Sequence, residues 1–283
     1  MISIIIPHYN DLDGIARLLK TIPLNSDIEC ILVDDYSDNY NQLLTLVNGY
    51  SLTNVKCFKN NQKKGAGTCR NIGIENSNGD WLLFADSDDY FTHNAFDIIN
   101  KLLSESDFYD VLYFKPESIN IDSCELSSRH INYENLVKQH YYNKDEKIRY
   151  SFFVPWSKLI KKQLILTENI RFDEVIASND MIFSLKVGHY AKKIKSSLNV
   201  IYIVVERKGS LTRVKNEERS TCRIDVAFRF NHFLKMHQYS KYQLSLASLL
   251  RSYGRDVSLM KVMKIICVFI RQGWKIFPDS FRK

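Results

Sequence analysis

Short aliphatic runs that end in polar or acidic residues recur along the first 115 positions, each followed by a segment whose apolar residues fall at helical spacing. Ile2-Ser-Ile-Ile-Ile6 runs into Pro7-His-Tyr-Asn10, Cys30-Ile-Leu-Val33 into Asp34-Asp35, and Trp81-Leu-Leu-Phe-Ala85 into Asp86-Ser-Asp-Asp89. Runs this short and apolar on both faces suit strands buried inside a parallel sheet. Leu12, Ile15, Leu19 and Ile22 mark one intervening helix, Leu43 to Val47 a second, and Phe96, Ile99 and Leu103 a third, with further short strands at 55–58 and 111–114. The alternation predicts an α/β fold with a doubly wound, mostly parallel sheet. In such sheets ligands bind beyond the carboxyl ends of the strands, so the polar ends above are expected to converge on one edge.

Residues 116–150 are polar, aromatic-rich and weakly periodic, and read as an insertion beside that edge. The pattern turns strand-like from Phe152 to Ile165, helical from about Asn179, strand-like again over Val200–Val205, and helical beyond Lys215. The expected organisation is one domain over 1–212, with a first half at about 1–115 and a second at about 116–212, and a helical extension over 213–283.

The formal charge of +7 is confined to one end. Residues 241–283 hold nine basic residues and two acids, Asp256 and Asp279, while residues 1–240 hold 30 of each sign. A neutral body with a basic tail argues against nucleic-acid binding, which needs a basic groove with stacking aromatics. Six scattered cysteines without CxxC or Cys/His spacing suggest a reduced cytosolic chain. The N-terminus reads as a strand rather than a signal peptide, and no apolar run approaches the roughly 20 residues of a membrane span.

The strand ends carry the chemistry. Three carboxylates within Asp86-Ser87-Asp88-Asp89 repel one another unless a cation compensates them, and oxygen ligands of this kind suit Mg²⁺ or Mn²⁺ and hence a diphosphate. Asp34 or Asp35 can accept from a ribose or base, whereas an Asx turn capping the next helix is the local alternative and suits Asp38. Gly65-Ala-Gly-Thr-Cys-Arg-Asn71 allows close backbone approach to an anion, with Arg70 adding charge. Neither the dinucleotide-binding fingerprint nor the P-loop spacing is present, which disfavours both of those classes.

Taken in order, Ser3 through Asn10, Ile31 through Asp38, Gly65 through Ile74, Gly79 through Asp89, Trp156-Ser-Lys-Leu159 and Asn179-Asp-Met-Ile-Phe183 resemble family 2 of the glycosyltransferases, the inverting enzymes with the GT-A fold. The resemblance covers about residues 1–212. It implies that Pro7 and Tyr9 sit against the nucleotide, that Asp34 or Asp35 binds the uracil or its ribose, and that Arg70 and Ser87 help to frame the donor. It further implies that Asp86 lies near ribose and metal, that Asp88 ligates Mn²⁺ (or Mg²⁺), and that Asp180 is the general base. Trp156 would lie on the acceptor side. Arg207, at the head of Arg207 through Thr212, would face the diphosphate. Similar enzymes have Glu where this chain has Asn179, and Asp173 and Glu174 are rival bases.

The tail admits two readings. Lys261, Lys264, Arg271 and Lys275 fall in one arc of an otherwise apolar helix over 257–277, with Trp274 and Phe277 near its end, as in helices that lie in an anionic membrane interface. Alternatively the apolar side packs on the domain and the lysines stay solvated. The function expected from the resemblance is transfer of a hexose, galactose or glucose, from a UDP-sugar to a lipid-linked (undecaprenyl-diphosphate) saccharide in bacterial O-antigen or capsule assembly, at the inner face of the cell membrane. The alternatives are transfer to the polyprenyl phosphate itself, or a non-catalytic sugar-nucleotide-binding protein on the same fold.

Overall fold

The computed structural model describes residues 1–23, 27–50, 54–105, 109–123, 125–207 and 216–278. Eight strands form one sheet: β1 (Ile2–His8), β2 (Ile28–Asp34), β3 (Val55–Lys59), β4 (Trp81–Phe84), β5 (Tyr90–Phe91), β6 (Val111–Asn120), β7 (Lys158–Lys161) and β8 (Ile194–Glu206). Their order across the sheet is β3-β2-β1-β4-β7-β6-β8-β5. The first four in that order are mutually parallel, β7 is antiparallel to both of its neighbours, β6 and β8 are parallel, and β5 closes the edge antiparallel to β8. This is the α/β, mostly parallel architecture that the alternation implies.

Side chains alternate across the sheet with period two, so each strand feeds two cores. Ile4 and Ile6, Leu32 and Leu83 face helices α1 (Leu12–Leu19), α2 (Tyr40–Gly49) and α4 (Ala95–Glu105). Ile5, Val33 and Phe84 face α3 (Ala66–Glu75), α5 (Ile131–Asn143), α6 (Lys147–Ser151), α7 (Lys162–Thr167) and α8 (Met181–Tyr190) on the other side. β1 does not stop at Pro7. Ile5 and His8 carbonyls accept from opposite neighbours, Ala85 and Asp35, so alternation aims the Pro7 nitrogen toward β4, whose ladder has ended at Ile5–Phe84. The donor that proline lacks is not needed there.

Residues 116–150 are not a loop insertion. β6 continues to Asn120, and α5 and α6 bury Leu136, Val137 and Ile148 in the second core. Their periodicity is faint because polar residues share the inward face: His140 pairs its Nδ1 with Ser196 Oγ at 2.8 Å, and Tyr133 packs on Phe152 and Trp156.

The basic end continues the same body. Helix α9 (Glu217–Met236) seals a third cluster with α8, in which Val226 and Phe230 meet Met181, Ile182 and Leu185. Helices α10 (Leu246–Tyr253) and α11 (Leu259–Gln272) then pack on α9 through Leu249, Ile265 and Phe269. The helix ends at Gly273, whose φ of 62° suits a glycine cap, rather than running to 277. Trp274 folds back into the core at 5% exposure. The basic arc is correspondingly divided: Lys261 Nζ donates to Thr221 Oγ1 at 2.5 Å and Lys275 Nζ to the Lys241 carbonyl at 3.3 Å, while Lys264 and Arg271 are exposed. Among the described residues no helix is long and apolar enough to cross a membrane.

Candidate active site

The carboxyl ends of β1, β2 and β4 meet as expected, and most of their acids are used to build the edge. Asp34 is fully buried. Its carboxylate takes His8 Nδ1 at 2.8 Å and the Ser37 amide at 2.8 Å. Burial raises its pKa, but these hydrogen bonds outweigh burial and hold it below the ordinary value. His8 Nε2 accepts from the Asp11 amide at 3.2 Å, which places the ring proton on Nδ1 and orients it toward Asp34. Asp35, also buried, accepts from Asn60 Nδ2 and from the Lys64 and Gly65 amides at 2.8–3.0 Å. Asp34 closes a turn onto the Ser37 amide, and both carboxylates help to build the edge on which the base and ribose are expected. Asp35 anchors the loop that delivers Gly65, at φ 90°, to the start of α3.

Aromatic and cationic groups are among those exposed at this edge. Pro7 is buried, Tyr9 is 38% exposed, and Lys63 Nζ lies 3.5 Å from the centre of its ring. Tyr36, which the motifs do not single out, is exposed just past the end of β2.

Around the third strand end, acids and guanidiniums interleave. Arg70, buried on α3, reaches Asp86 at 2.6 Å with one nitrogen and Asn179 Oδ1 at 3.0 Å with another. This single guanidinium joins the acidic strand end to the loop that carries Asp180. Asp86 also donates its amide to Tyr202 Oη at 2.8 Å. Asp88 is half-buried, lies 3.7 Å from Arg207, and lends its carbonyl to Arg17 at 2.5 Å. Burial and then the neighbouring Asp86 push the Asp88 pKa up, so its charge is incompletely compensated by the protein. Ser87 is half-buried, with its carbonyl packed on Gly14. Asp89 is a structural acid: it is buried, its Oδ1 takes the Val205 amide at 2.7 Å, and burial raises its pKa well above normal.

Arg207 forms its closest ion pair with Asp11, at 3.0 Å, a residue legible in sequence only as the N-cap of α1. Lys208 and the rest of the stretch to Thr212 lie outside the described residues.

Asp86, Asp88 and Asp11 face Arg70 and Arg207, and the undercompensated Asp88 fits an added cation. Among the described residues no cluster of three or more protein ligands converges. Two carboxylates suit a Mg²⁺- or Mn²⁺-sized ion that takes its other oxygens from water and a diphosphate.

Asp180 occupies the N-cap position of α8, yet its side chain makes no capping hydrogen bond. Burial raises its pKa against the pull of Arg70 and Lys158, with Asp86 adding to the rise. The rival acids are differently placed. Asp173 Oδ1 is paired with Arg229 at 2.9 Å, and Glu174 is exposed and receives Asn71 at 3.4 Å.

Trp156 corrects an expectation. It is 1% exposed and stacks on Tyr202 at 5.9 Å with Tyr133 at its edge, so it offers no surface to an acceptor and instead supports the ring whose hydroxyl holds Asp86. Two residues on, Lys158 is fully buried and donates to the Phe152 carbonyl at 2.7 Å; burial lowers its pKa to about 7. A lysine inside an aromatic cluster has no periodic signal in sequence.

Comparison with known proteins agrees with this architecture. A glycosyltransferase of Haemophilus influenzae without assigned activity is 32% identical over 150 residues, 48% of this chain and 50% of that protein. The Escherichia coli enzyme WfaP, named a UDP-Glc:alpha-D-GlcNAc-diphosphoundecaprenol beta-1,3-glucosyltransferase, is 30% identical over 142 residues, 49% of this chain and 56% of its own length. The chain thus spans about half the length of these relatives. The crystal structure of Staphylococcus aureus TarS 1–349 in complex with UDP-GlcNAc superposes over 95% of this chain and 80% of its own with a TM-score of 0.71 at 21% identity, which establishes the GT-A fold. The sequence profile described as glycosyl transferase family 2 matches residues 3–166, more than half of the chain, and the protein belongs to that family.

Proposed function

We propose that this chain is a metal-dependent, inverting UDP-hexosyltransferase that moves galactose or glucose onto a sugar hydroxyl of an undecaprenyl-diphosphate-linked acceptor in bacterial surface-polysaccharide assembly. The observation that carries the reading is the Arg70 bridge, which gathers Asp86, beside Asp88, and Asn179, beside Asp180, into one cluster. The name of WfaP supports the donor and acceptor class.

In this mechanism Tyr9 and Lys63 border the nucleotide, while Arg70 and Arg207 place positive charge where the leaving diphosphate develops negative charge. Asp86 and Asp88 would hold Mn²⁺ or Mg²⁺, which when bound supplies further charge stabilisation to the diphosphate. Asp180 takes the proton of the acceptor hydroxyl as its oxygen attacks the anomeric carbon. Its lack of a capping bond leaves the carboxylate free for that contact. Because the attacking oxygen and the departing diphosphate lie on opposite faces of that carbon, an α-linked donor gives a β-glycoside. Screening UDP- and GDP-sugars with Mn²⁺ or Mg²⁺, with nucleotide release as readout, should give turnover with a UDP-hexose that EDTA abolishes. Turnover confined to GDP-sugars, or unaffected by EDTA, contradicts the donor and metal assignments.

The membrane reading rests on the outer side of α11. Leu259, Met263 and Ile270 are 58–79% exposed and lie beside the exposed Lys264 and Arg271, while the opposite side of the helix is buried. An apolar strip with basic neighbours suits an anionic bilayer surface. Deleting the helix would strip Ile265 and Phe269 from a core, so the cleaner test substitutes the exposed strip. Cosedimentation with phosphatidylglycerol vesicles should be strong for the natural sequence and largely lost in a Leu259→Ser, Met263→Ser, Ile270→Ser variant with an unchanged melting temperature; equal binding by both refutes the assignment.

A further inference from the structure

A cavity of about 580 Å³ lies between α8, α9 and α11, and none of the acids Asp86, Asp88 and Asp180 lines it. Its size falls within the roughly 300–1,000 Å³ of small-molecule sites. Ile182, Phe228, Val268 and Trp274 supply apolar lining, with the exposed Met236 at its edge. Lys186, Arg229, His232 and His237 also line it, and Asp173, the one acid of the lining among the described residues, pairs its Oδ1 with Arg229 at 2.9 Å while its Oδ2 has no partner among them.

The lining pairs apolar surface with charge. Trp274 contributes ring surface and is 5% exposed. No ion pair engages Lys186 among the described residues, so the lining carries positive charge beyond what Asp173 neutralises. Apolar lining beside cationic groups is complementary to an anionic amphiphile.

The position matters as much as the chemistry. The Asp173 amide bonds the Asn179 carbonyl at 3.1 Å, so the wall of the cavity and the loop that carries Asp180 are one hydrogen-bonded segment. On the other side, the cavity is closed by α11, whose outer face is the exposed apolar strip.

We propose that this cavity holds the diphosphate and first isoprene units of the lipid-linked acceptor. The inference rests on the acceptor class proposed above. The apolar lining takes the chain, and Lys186, His232 and His237 face the anion. The acceptor sugar then extends along the 173–180 loop toward Asp180.

The test is a fluorescence titration of the full chain with farnesyl diphosphate, farnesol and inorganic diphosphate, in EDTA so that no metal recruits diphosphate to the carboxylates. Farnesyl diphosphate should bind at least tenfold more tightly than either fragment. Lys186→Glu and Met236→Glu should each weaken it at least tenfold without moving the melting temperature; Met236 is 67% exposed, so the second variant is expected to fold. Farnesol binding as well as farnesyl diphosphate, unchanged affinity in both variants, or self-association of the chain that both variants abolish would each overturn the assignment. Failure of the donor reading is separable. Isoprenoid binding without UDP-sugar turnover leaves the cavity assignment intact, and UDP-sugar turnover without isoprenoid binding removes it alone.

Discussion

Asp180→Asn is expected to lose transfer by roughly 10²–10⁴-fold, the range that a positioned proton acceptor contributes, while UDP-sugar affinity stays within a few-fold of the natural protein. The substitution keeps shape and polarity at an N-cap position whose side chain makes no capping bond, so stability should change little. Asp173→Asn and Glu174→Gln serve as comparisons. Their acids are engaged with Arg229 and Asn71, and neither variant should approach the loss at Asp180. The pH dependence follows from burial. Burial raises the Asp180 pKa, and a base must be deprotonated to act, so the rate should fall as pH drops through a value higher than that of an exposed aspartate. The acidic limb should vanish in Asp180→Asn. Full turnover in that variant would remove Asp180 from the mechanism.

Arg70→Met should have the second largest effect, on stability and turnover together. The guanidinium is buried and paired with Asp86 at 2.6 Å, so its removal strands one carboxylate and the Asn179 oxygen. Breaking a buried pair costs about 3–5 kcal/mol, and partial exposure of Asp86 brings the expectation to about 2–3 kcal/mol. For a domain of this size that lowers the melting temperature by roughly 4–12 °C. Turnover should fall further than stability requires, because the Asp180 loop loses its tie to the acidic strand end. Arg70→Lys should rescue little, since an ammonium is a point charge and cannot span two acceptors as a planar fork does. A variant with natural melting temperature and near-natural kcat/KM would show that the bridge is dispensable.

The contrast between legible and hidden features follows the range of the interactions. Strands β1, β2 and β4 are buried throughout and dominated by aliphatic runs, and adjacent helices have clear stripes, so period and local punctuation place them. The pattern fails at α5, where Tyr133 and His140 replace aliphatic residues on the inward face, Tyr133 packing on Trp156 and His140 pairing with the distant Ser196. The acidic ends are legible as a cluster, but the division of labour within it is not. Asp34 and Asp35 read in sequence as ligand-binding acids, and only the fold shows that they also receive His8, Asn60 and the Gly65 amide. The same holds for Asp11, whose partner Arg207 lies 196 residues away. Asn179 departs from the Glu of similar enzymes, and its side-chain oxygen serves here as an acceptor for Arg70. Trp156 misleads in sequence because an aromatic residue in a motif has the same letter whether it meets a sugar or, as here, fills a core beneath one.

The central claim is inverting transfer of a hexose from a UDP-sugar, and the anomeric configuration of the product tests it most directly. The natural protein, Mn²⁺, UDP-glucose or UDP-galactose and a synthetic N-acetylglucosaminyl-diphospho-lipid should give a disaccharide whose new linkage is β by proton NMR. An α-linkage, or a product in which the hexose is joined to phosphate rather than to the sugar, would contradict the account.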